Sequence, residues 1–194
     1  MKRLLLTALL LAAAGATSGC DRPEPAKSPS ATASPIGGPF SLIDTAGRPV
    51  TEKSLLGKPS AMFFGFTYCP EVCPTTLAEM TAALKALGPD AERLNVVFVS
   101  VDPERDTPEQ MKLYLTNFDP RIQGYTGTVD TVAAAAKAYR VYYKKVPMEG
   151  GGYTVDHSSA VYLLDKRGEF VEPLSYGMPH DMVLERLRKL ISSS

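Results

Sequence analysis

Apolar and polar positions alternate with a period of two along some stretches of the chain and recur at helical spacing along others. Phe40-Ser41-Leu42-Ile43-Asp44 alternates as a strand, and Thr45-Ala46-Gly47-Arg48 turns it back toward Val50, which predicts a short hairpin opening the folded domain. Ala61 to Phe66 is a continuous apolar, aromatic run bounded by Lys58-Pro59, the pattern of a buried strand. From Pro74 onward Leu77, Met80, Leu84 and Leu87 recur at helical spacing, and a proline suits a first helical turn because it has no N–H to lose. Leu94 to Val101 reads as a second buried strand. Thr107-Pro108-Glu109-Gln110 then supplies a capping threonine, a proline at the first helical position and a glutamine at the third. The helix that starts there turns Met111, Tyr114, Leu115 and Phe118 to the core.

A short strand from Ile122 to Tyr125 leads to a second capped start at Thr128 and to an Ala-rich helix, Val129 to Tyr139, of high intrinsic propensity. Arg140 to Val146 alternates as a strand, and Met148-Glu149-Gly150-Gly151-Gly152 reads as a loop or hairpin tip. Tyr153 to His157 leads directly into a strand from Ala160 to Leu164, which Asp165-Lys166-Arg167-Gly168 turns into Glu169-Phe170-Val171. The last helix, Asp181 to Ile191, carries Val183, Leu184, Leu187 and Leu190 on one face. Strands alternating with helices in the middle, and a hairpin near the end, predict an α/β domain with a mixed central sheet. The order, with a dithiol after the first central strand, is that of a thioredoxin-like domain. It adds an N-terminal hairpin and an inserted loop or hairpin before the histidine strand.

Composition changes this picture little. A 194-residue chain with 44% hydrophobic residues suits one domain with extras, and a formal charge of zero without a basic cluster gives no footing for nucleic acid. The N-terminus changes it more. Lys2-Arg3, an apolar run from Leu4 to about Ala14, and small residues up to Cys20 form an export signal too short to span a membrane well. Residues 1–19 are thus read as a signal peptide. Small-Gly-Cys at its end resembles a bacterial lipoprotein signal, in which Cys20 carries lipid and anchors the protein to the membrane, facing the periplasm or another extracytoplasmic space. Ordinary cleavage near Ala16 is the alternative. Residues 20–39, rich in proline, are read as a linker and 40–194 as the folded domain.

The candidate chemistry lies in Cys69-Pro70-Glu71-Val72-Cys73-Pro74, where a strand ends and a helix begins. Free N–H groups and the positive dipole end of a helix lower a thiol's pKa and supply thiolate, the form that attacks disulfides and binds soft metals. Were both cysteines helical, their sulfurs would stand about 40° apart on one face, able to grip one ion. Helical i,i+4 Cα atoms lie about 6 Å apart, so a disulfide is also within reach. A structural disulfide or two inert buried thiols is the plain alternative, and outside the cytosol an exposed pair oxidises readily.

Two histidines are present. His180 reads as a surface residue near the start of the last helix. His157 follows the Gly-rich loop and precedes a buried strand, so its side chain can reach a neighbouring loop. Two thiols and an imidazole make a soft three-coordinate site suited to Cu(I) and able to hold Cu(II). Zinc is the next candidate, but a closed structural zinc site takes four ligands. Asp102-Pro103 with Arg105-Asp106 reads as a capped loop held by an Arg–Asp pair. Asp156 is a candidate to orient the His157 ring, although strand alternation points it away. Met148, in the loop, is a further candidate as a thioether donor.

Three segments carry a family resemblance: Gly65-Phe66-Thr67-Tyr68-Cys69-Pro70-Glu71-Val72-Cys73-Pro74, Ser100-Val101-Asp102-Pro103-Glu104-Arg105-Asp106-Thr107-Pro108, and Val155-Asp156-His157-Ser158. With them the chain, from about Phe40 to Ile191, resembles the Sco/SenC copper-binding proteins, thioredoxin-like assembly factors for the binuclear copper site of cytochrome c oxidase. The resemblance implies one copper ion per chain held by Cys69, Cys73 and His157. It implies an apo-oxidase copper-bearing subunit as acceptor, with another copper chaperone or a thioredoxin-like reductant as further partners. Tyr68 stands where relatives often have histidine and Glu71 where they often have aspartate. The reading from a different class is an exported thiol–disulfide oxidoreductase that keeps the oxidase cysteines reduced, with Cys69 as nucleophile and Cys73 as resolver.

Overall fold

A computed structural model describes residues 36–193. The signal segment 1–19, Cys20 and the linker up to residue 35 lie outside the described residues.

The chain opens with an antiparallel hairpin, β1 (Ser41–Asp44) and β2 (Pro49–Thr51), followed by a 3-10 turn at Glu52–Leu55. Then come β3 (Ser60–Gly65), α1 (Val72–Leu87), a 3-10 segment at Gly88–Arg93 and β4 (Asn95–Ser100). Next are α2 (Pro108–Leu115), β5 (Ile122–Thr126) and α3 (Val129–Ala138). A hairpin of β6 (Tyr143–Pro147) and β7 (Tyr153–His157) precedes β8 (Val161–Leu164), β9 (Phe170–Leu174) and α4 (His180–Ser192).

Seven strands form one sheet in the order β2-β1-β5-β4-β3-β8-β9. The middle three, β5, β4 and β3, run parallel, and their neighbours β1 and β8 run antiparallel to them. This is the mixed α/β sheet of a thioredoxin-like domain. All six residues of β3 are buried, as the unbroken apolar run requires of a strand covered on both faces. Its alternate side chains mark the two layers. Phe63 stacks on Phe98 of β4 at 5.9 Å, and Phe98 meets Tyr114 of α2 at 6.0 Å. Phe64 faces the other way, to Tyr139 after α3 at 5.5 Å and to Tyr162 of β8 at 6.0 Å. The two threonine caps work as their spacing implies: Thr107 accepts from the N–H of Gln110, and Thr128 accepts from the N–H of Thr131.

Several boundaries differ from the sequence pattern, and three of these bear on the thiols and the histidine. Helix α1 starts at Val72, two residues before Pro74, and its N-cap residue Glu71 makes no side-chain capping bond. Strand β6 starts at Tyr143 instead of Arg140, because Arg140 takes a left-handed conformation (φ 54°) that ends the α3 turn and delays the strand. Tyr153–His157 does not run on into β8. It pairs with β6 as a separate two-stranded ribbon, and residues 158–160 carry the chain into the main sheet.

Candidate metal centre

The loop after β3 and the first turn of α1 place the thiols. Cys69 sits in a tight turn, its N–H donating to the Phe66 carbonyl at 3.3 Å, and Cys73 is the second residue of α1. Only Cys73 is helical, so the same-face helical geometry expected of the pair does not apply. The sulfurs approach for another reason. The backbone N–H of Cys73 donates to Cys69 Sγ at 3.4 Å, so the sulfur satisfies a first-turn N–H where Glu71 supplies no side-chain cap. Cys73 is fully buried and Cys69 half-buried, and both are free thiols.

Cys73 packs straight onto the sheet. A Cβ at Gly65, the last residue of β3, would lie 2.6 Å from its sulfur, so this strand end has room for no side chain.

His157 ends β7, directly opposite Tyr143 of β6. Its Nε2 lies 3.5 Å from Cys73 Sγ. Its Nδ1 is 2.8 Å from the carbonyl of Ser158, and since a carbonyl only accepts, Nδ1 carries the proton. In the tautomer this bond selects, Nε2 is the nitrogen that faces the sulfurs and is free to bind a metal. The ring rests edge-on against Phe66 at 5.6 Å and near Phe63 at 6.2 Å. Cys69 Sγ, Cys73 Sγ and a ring nitrogen of His157 all lie within 4.8 Å of one another.

The protons are divided unequally between the sulfurs. A hydrogen bond from the Cys73 thiol holds Cys69 well below the ordinary thiol range, against an opposing effect of burial, with further donation from backbone N–H groups. The same bond and burial push the Cys73 thiol up. The pair is a thiolate at Cys69 beside a thiol at Cys73.

The loop between β4 and α2 braces both segments. Asp106, fully buried, accepts from the Thr67 N–H at 3.0 Å, the Thr67 hydroxyl at 2.6 Å and the Ser100 hydroxyl at 2.6 Å. It thereby fixes the turn that leads to Cys69. Asp102 pairs with Arg105, the Arg–Asp brace anticipated for this loop, and also accepts from the Tyr153 hydroxyl at 2.7 Å.

The remaining candidates stand apart. Asp156 is exposed, and the Ser158 carbonyl orients the ring in its place. Met148 is at the hairpin tip, beyond the Pro147–Tyr153 pair and at the opposite end of the ribbon from His157. His180 is exposed, with Nδ1 2.7 Å from Glu79. The sequence pattern assigned no role to Gly65, Ser158 or Tyr153, and placed Asp106 in a capped loop without its bonds to Thr67. A glycine closing a strand is a signal of close approach, whereas a backbone acceptor such as the Ser158 carbonyl leaves none.

A thioredoxin-like sheet with two thiols and an imidazole converging at the C-terminal end of a central strand defines a dithiol–histidine domain able to hold a soft metal. The SCO1/SenC family model matches residues 28–192, and the chain belongs to that family. It is 44% identical over 155 residues to Protein SCO1 homolog 1, mitochondrial, of Arabidopsis thaliana, covering 79% of this chain and 46% of that one. The chain spans about half the length of the curated relatives it matches. Among solved structures it is similar to Bradyrhizobium japonicum ScoI with copper bound, at 48% identity and TM-score 0.75, over 80% of this chain and 99% of that one. Yeast Sco1 with copper bound is similar at 40% identity and TM-score 0.77, over 82% and 90%. More distant is BsSco, a member of the Sco family of cytochrome c oxidase assembly proteins in which a disulfide switch was identified. It shares 25% identity at TM-score 0.66, over 84% of this chain and 98% of that one.

Proposed function

We propose that this protein binds one copper ion per chain through Cys69, Cys73 and His157 and passes it by ligand exchange to the copper-bearing subunit of cytochrome c oxidase. The convergence of the three donor atoms within 4.8 Å carries the reading. Two sulfurs suit Cu(I), and the added nitrogen allows Cu(II) to be held as well. With Cys69 held low, Cys73 is the sulfur that must give up a proton when the metal binds. The copper in the ScoI and Sco1 structures and the place of BsSco among oxidase assembly proteins support cargo and destination. No fourth donor from Cys, His, Asp or Glu joins the cluster among the described residues, which favours copper over structural zinc.

The test is metal analysis of the reduced protein beside Cys69→Ala, Cys73→Ala and His157→Ala. One copper per chain is expected for the parent, with much of the affinity lost in each variant. A His157→Ala protein binding Cu(I) and Cu(II) as tightly as the parent removes the third ligand. The signal segment and Cys20 support an exported, lipid-anchored protein facing the periplasm; another copper chaperone or a thioredoxin-like reductant is its further partner in this reading. Mass spectrometry of the mature N-terminus tests the anchor: an acylated Cys20 is expected. No helix among the described residues is long and apolar enough to cross a membrane.

The low pKa of Cys69 also suits a nucleophile with Cys73 as resolver, the oxidoreductase reading. Thiol exchange alone gives His157 no metal to hold, so copper transfer is favoured. The two separate in cells: His157→Ala abolishes oxidase maturation at low copper if transfer is the task and preserves it if reduction is.

A further inference from the structure

Arg105 stands between the two segments that bring the donor atoms together. Its guanidinium carbon lies 4.7 Å from the ring centre of Tyr68, the neighbour of Cys69, and 3.9 Å from that of Tyr153, the first residue of the strand that ends at His157. Phe66, against which the imidazole packs, is 5.9 Å from the same carbon. The nitrogens hold this position. Nε donates to Asp102, and Nη1 donates to the Tyr153 carbonyl at 2.9 Å. Nη2 is buried without a hydrogen-bond partner among the described residues, in a setting built from aromatic rings. Asp102, fully buried, accepts from the Tyr153 hydroxyl as well, so one carboxylate fastens both the cation and the ring. Lys145 of β6 sets a second cation 4.6 Å from the Tyr153 ring and pairs with Glu104. The stack thus ties the cysteine turn, the loop after β4 and the histidine ribbon into one unit.

We propose that Arg105 is a positioning residue: clasped between Tyr68 and Tyr153, it sets how far the His157 nitrogen stands from the two sulfurs, and so how well the site holds Cu(II) relative to Cu(I). The proposal rests on the copper reading above. Two thiolates satisfy soft Cu(I) by themselves, whereas Cu(II) gains much more from the imidazole nitrogen. Slack in the ribbon therefore costs Cu(II) first. A guanidinium suits this place because it is planar, delocalised and weakly hydrated, and keeps its charge while stacked on rings. A lysine matches the charge without the plane.

The experiment measures Cu(I) and Cu(II) affinities, and the Cu(II) absorption and electron paramagnetic resonance spectra, of the reduced full chain. The variants are Arg105→Met, Arg105→Lys and Tyr153→Leu, each alone and with His157→Ala. Arg105→Met and Tyr153→Leu are expected to weaken Cu(II) binding about tenfold or more, the usual scale for residues that orient a metal-binding histidine, and to leave Cu(I) within about threefold. Their Cu(II) spectra shift, and Arg105→Lys recovers part of the loss. With His157→Ala already present, neither variant weakens Cu(II) further, since Arg105 acts through that ring. Arg105→Met leaves Asp102 buried without its cation and is the variant at risk of not folding. Tyr153→Leu keeps the Asp102–Arg105 pair and decides the matter alone. Variants with parental Cu(II) affinity and spectrum overturn the proposal, as does an equal loss of Cu(I) and Cu(II) with unchanged spectra. A parent chain that binds neither ion overturns the copper reading itself, a result distinct from the failure of Arg105.

Discussion

The sulfur of Cys73 fills the space that a side chain at Gly65 would need: a Cβ there would come within 2.6 Å of Sγ and 2.8 Å of Cε2 of Phe98. Helix α1 can press onto the end of β3 because that residue has no side chain. Gly65→Ala is therefore expected to displace the sulfur and to cost roughly 1–3 kcal/mol, the range for overpacking a well-filled core. Urea unfolding reads the stability and copper titration reads the site. An alanine protein equal to the parent in both contradicts the contact.

The two thiols should react at very different rates. Cys69 is half-buried and held as thiolate, while Cys73 is fully buried and kept protonated. An ordinary thiol, with a pKa of about 8.5, gains reactivity steeply between about pH 6 and 8. Cys69 should show little change over that interval, because its thiolate is already formed. Iodoacetamide labelling followed by peptide mass spectrometry gives both rates. Equal labelling of the two cysteines, or a steep rise for Cys69, counts against the proton division described above.

Oxidation should switch the site off. A disulfide between Cys69 and Cys73 converts both sulfurs into poor ligands and leaves His157 as the lone strong donor. Mild oxidation, thiol trapping and copper titration on one sample are expected to show loss of free thiols together with loss of copper. Full loading of a protein without free thiols would overturn both the ligand set and the reading built on it.

Asp106 gives a pH signature. Burial raises its carboxyl above the ordinary value, although the Ser100 and Thr67 donors pull the other way. A raised carboxyl binds its proton more tightly in the folded chain than in the unfolded one. This contribution favours the fold at low pH and is lost as pH rises from about 3.9, the unfolded value, through the higher folded value. Asp106→Asn cannot titrate, so its stability deficit relative to the parent should be larger near pH 4 than near pH 7. A deficit that shrinks toward acid would reverse the sign. Asp106→Ala strands three donors, two of them from Thr67, and should cost several kcal/mol, since each stranded buried donor costs about 1–3 kcal/mol.

Local patterns carried most of the fold. Val96 to Ser100 and Ala61 to Gly65 are buried on both faces, and the threonine caps at 107 and 128 have a side-chain oxygen to announce them. Helix α1 was harder to bound because its cap is the Cys69 sulfur, a residue type no capping rule anticipates. The separation of β7 from β8 was invisible for a different reason. Period-two alternation marks a strand but not the sheet it joins. The three donor residues were legible from their chemistry. What orients them was not: Arg105 and Tyr153 meet across 48 residues of chain, and the His157 ring takes its direction from a backbone oxygen.

The ribbon of β6 and β7 lies outside the seven-stranded sheet, and its turn at residues 148–152 is crowded by nothing near Gly150 or Gly151. Tyr153 and His157 are four steps apart on β7, about 13 Å along an extended strand. The protein thus offers a lever arm for instrumentation. A spin label or fluorophore at the exposed Glu149 would travel with the strand that bears the imidazole while touching neither sulfur. Inter-probe distances to a second label on α4 would then report whether the ribbon shifts when copper is added.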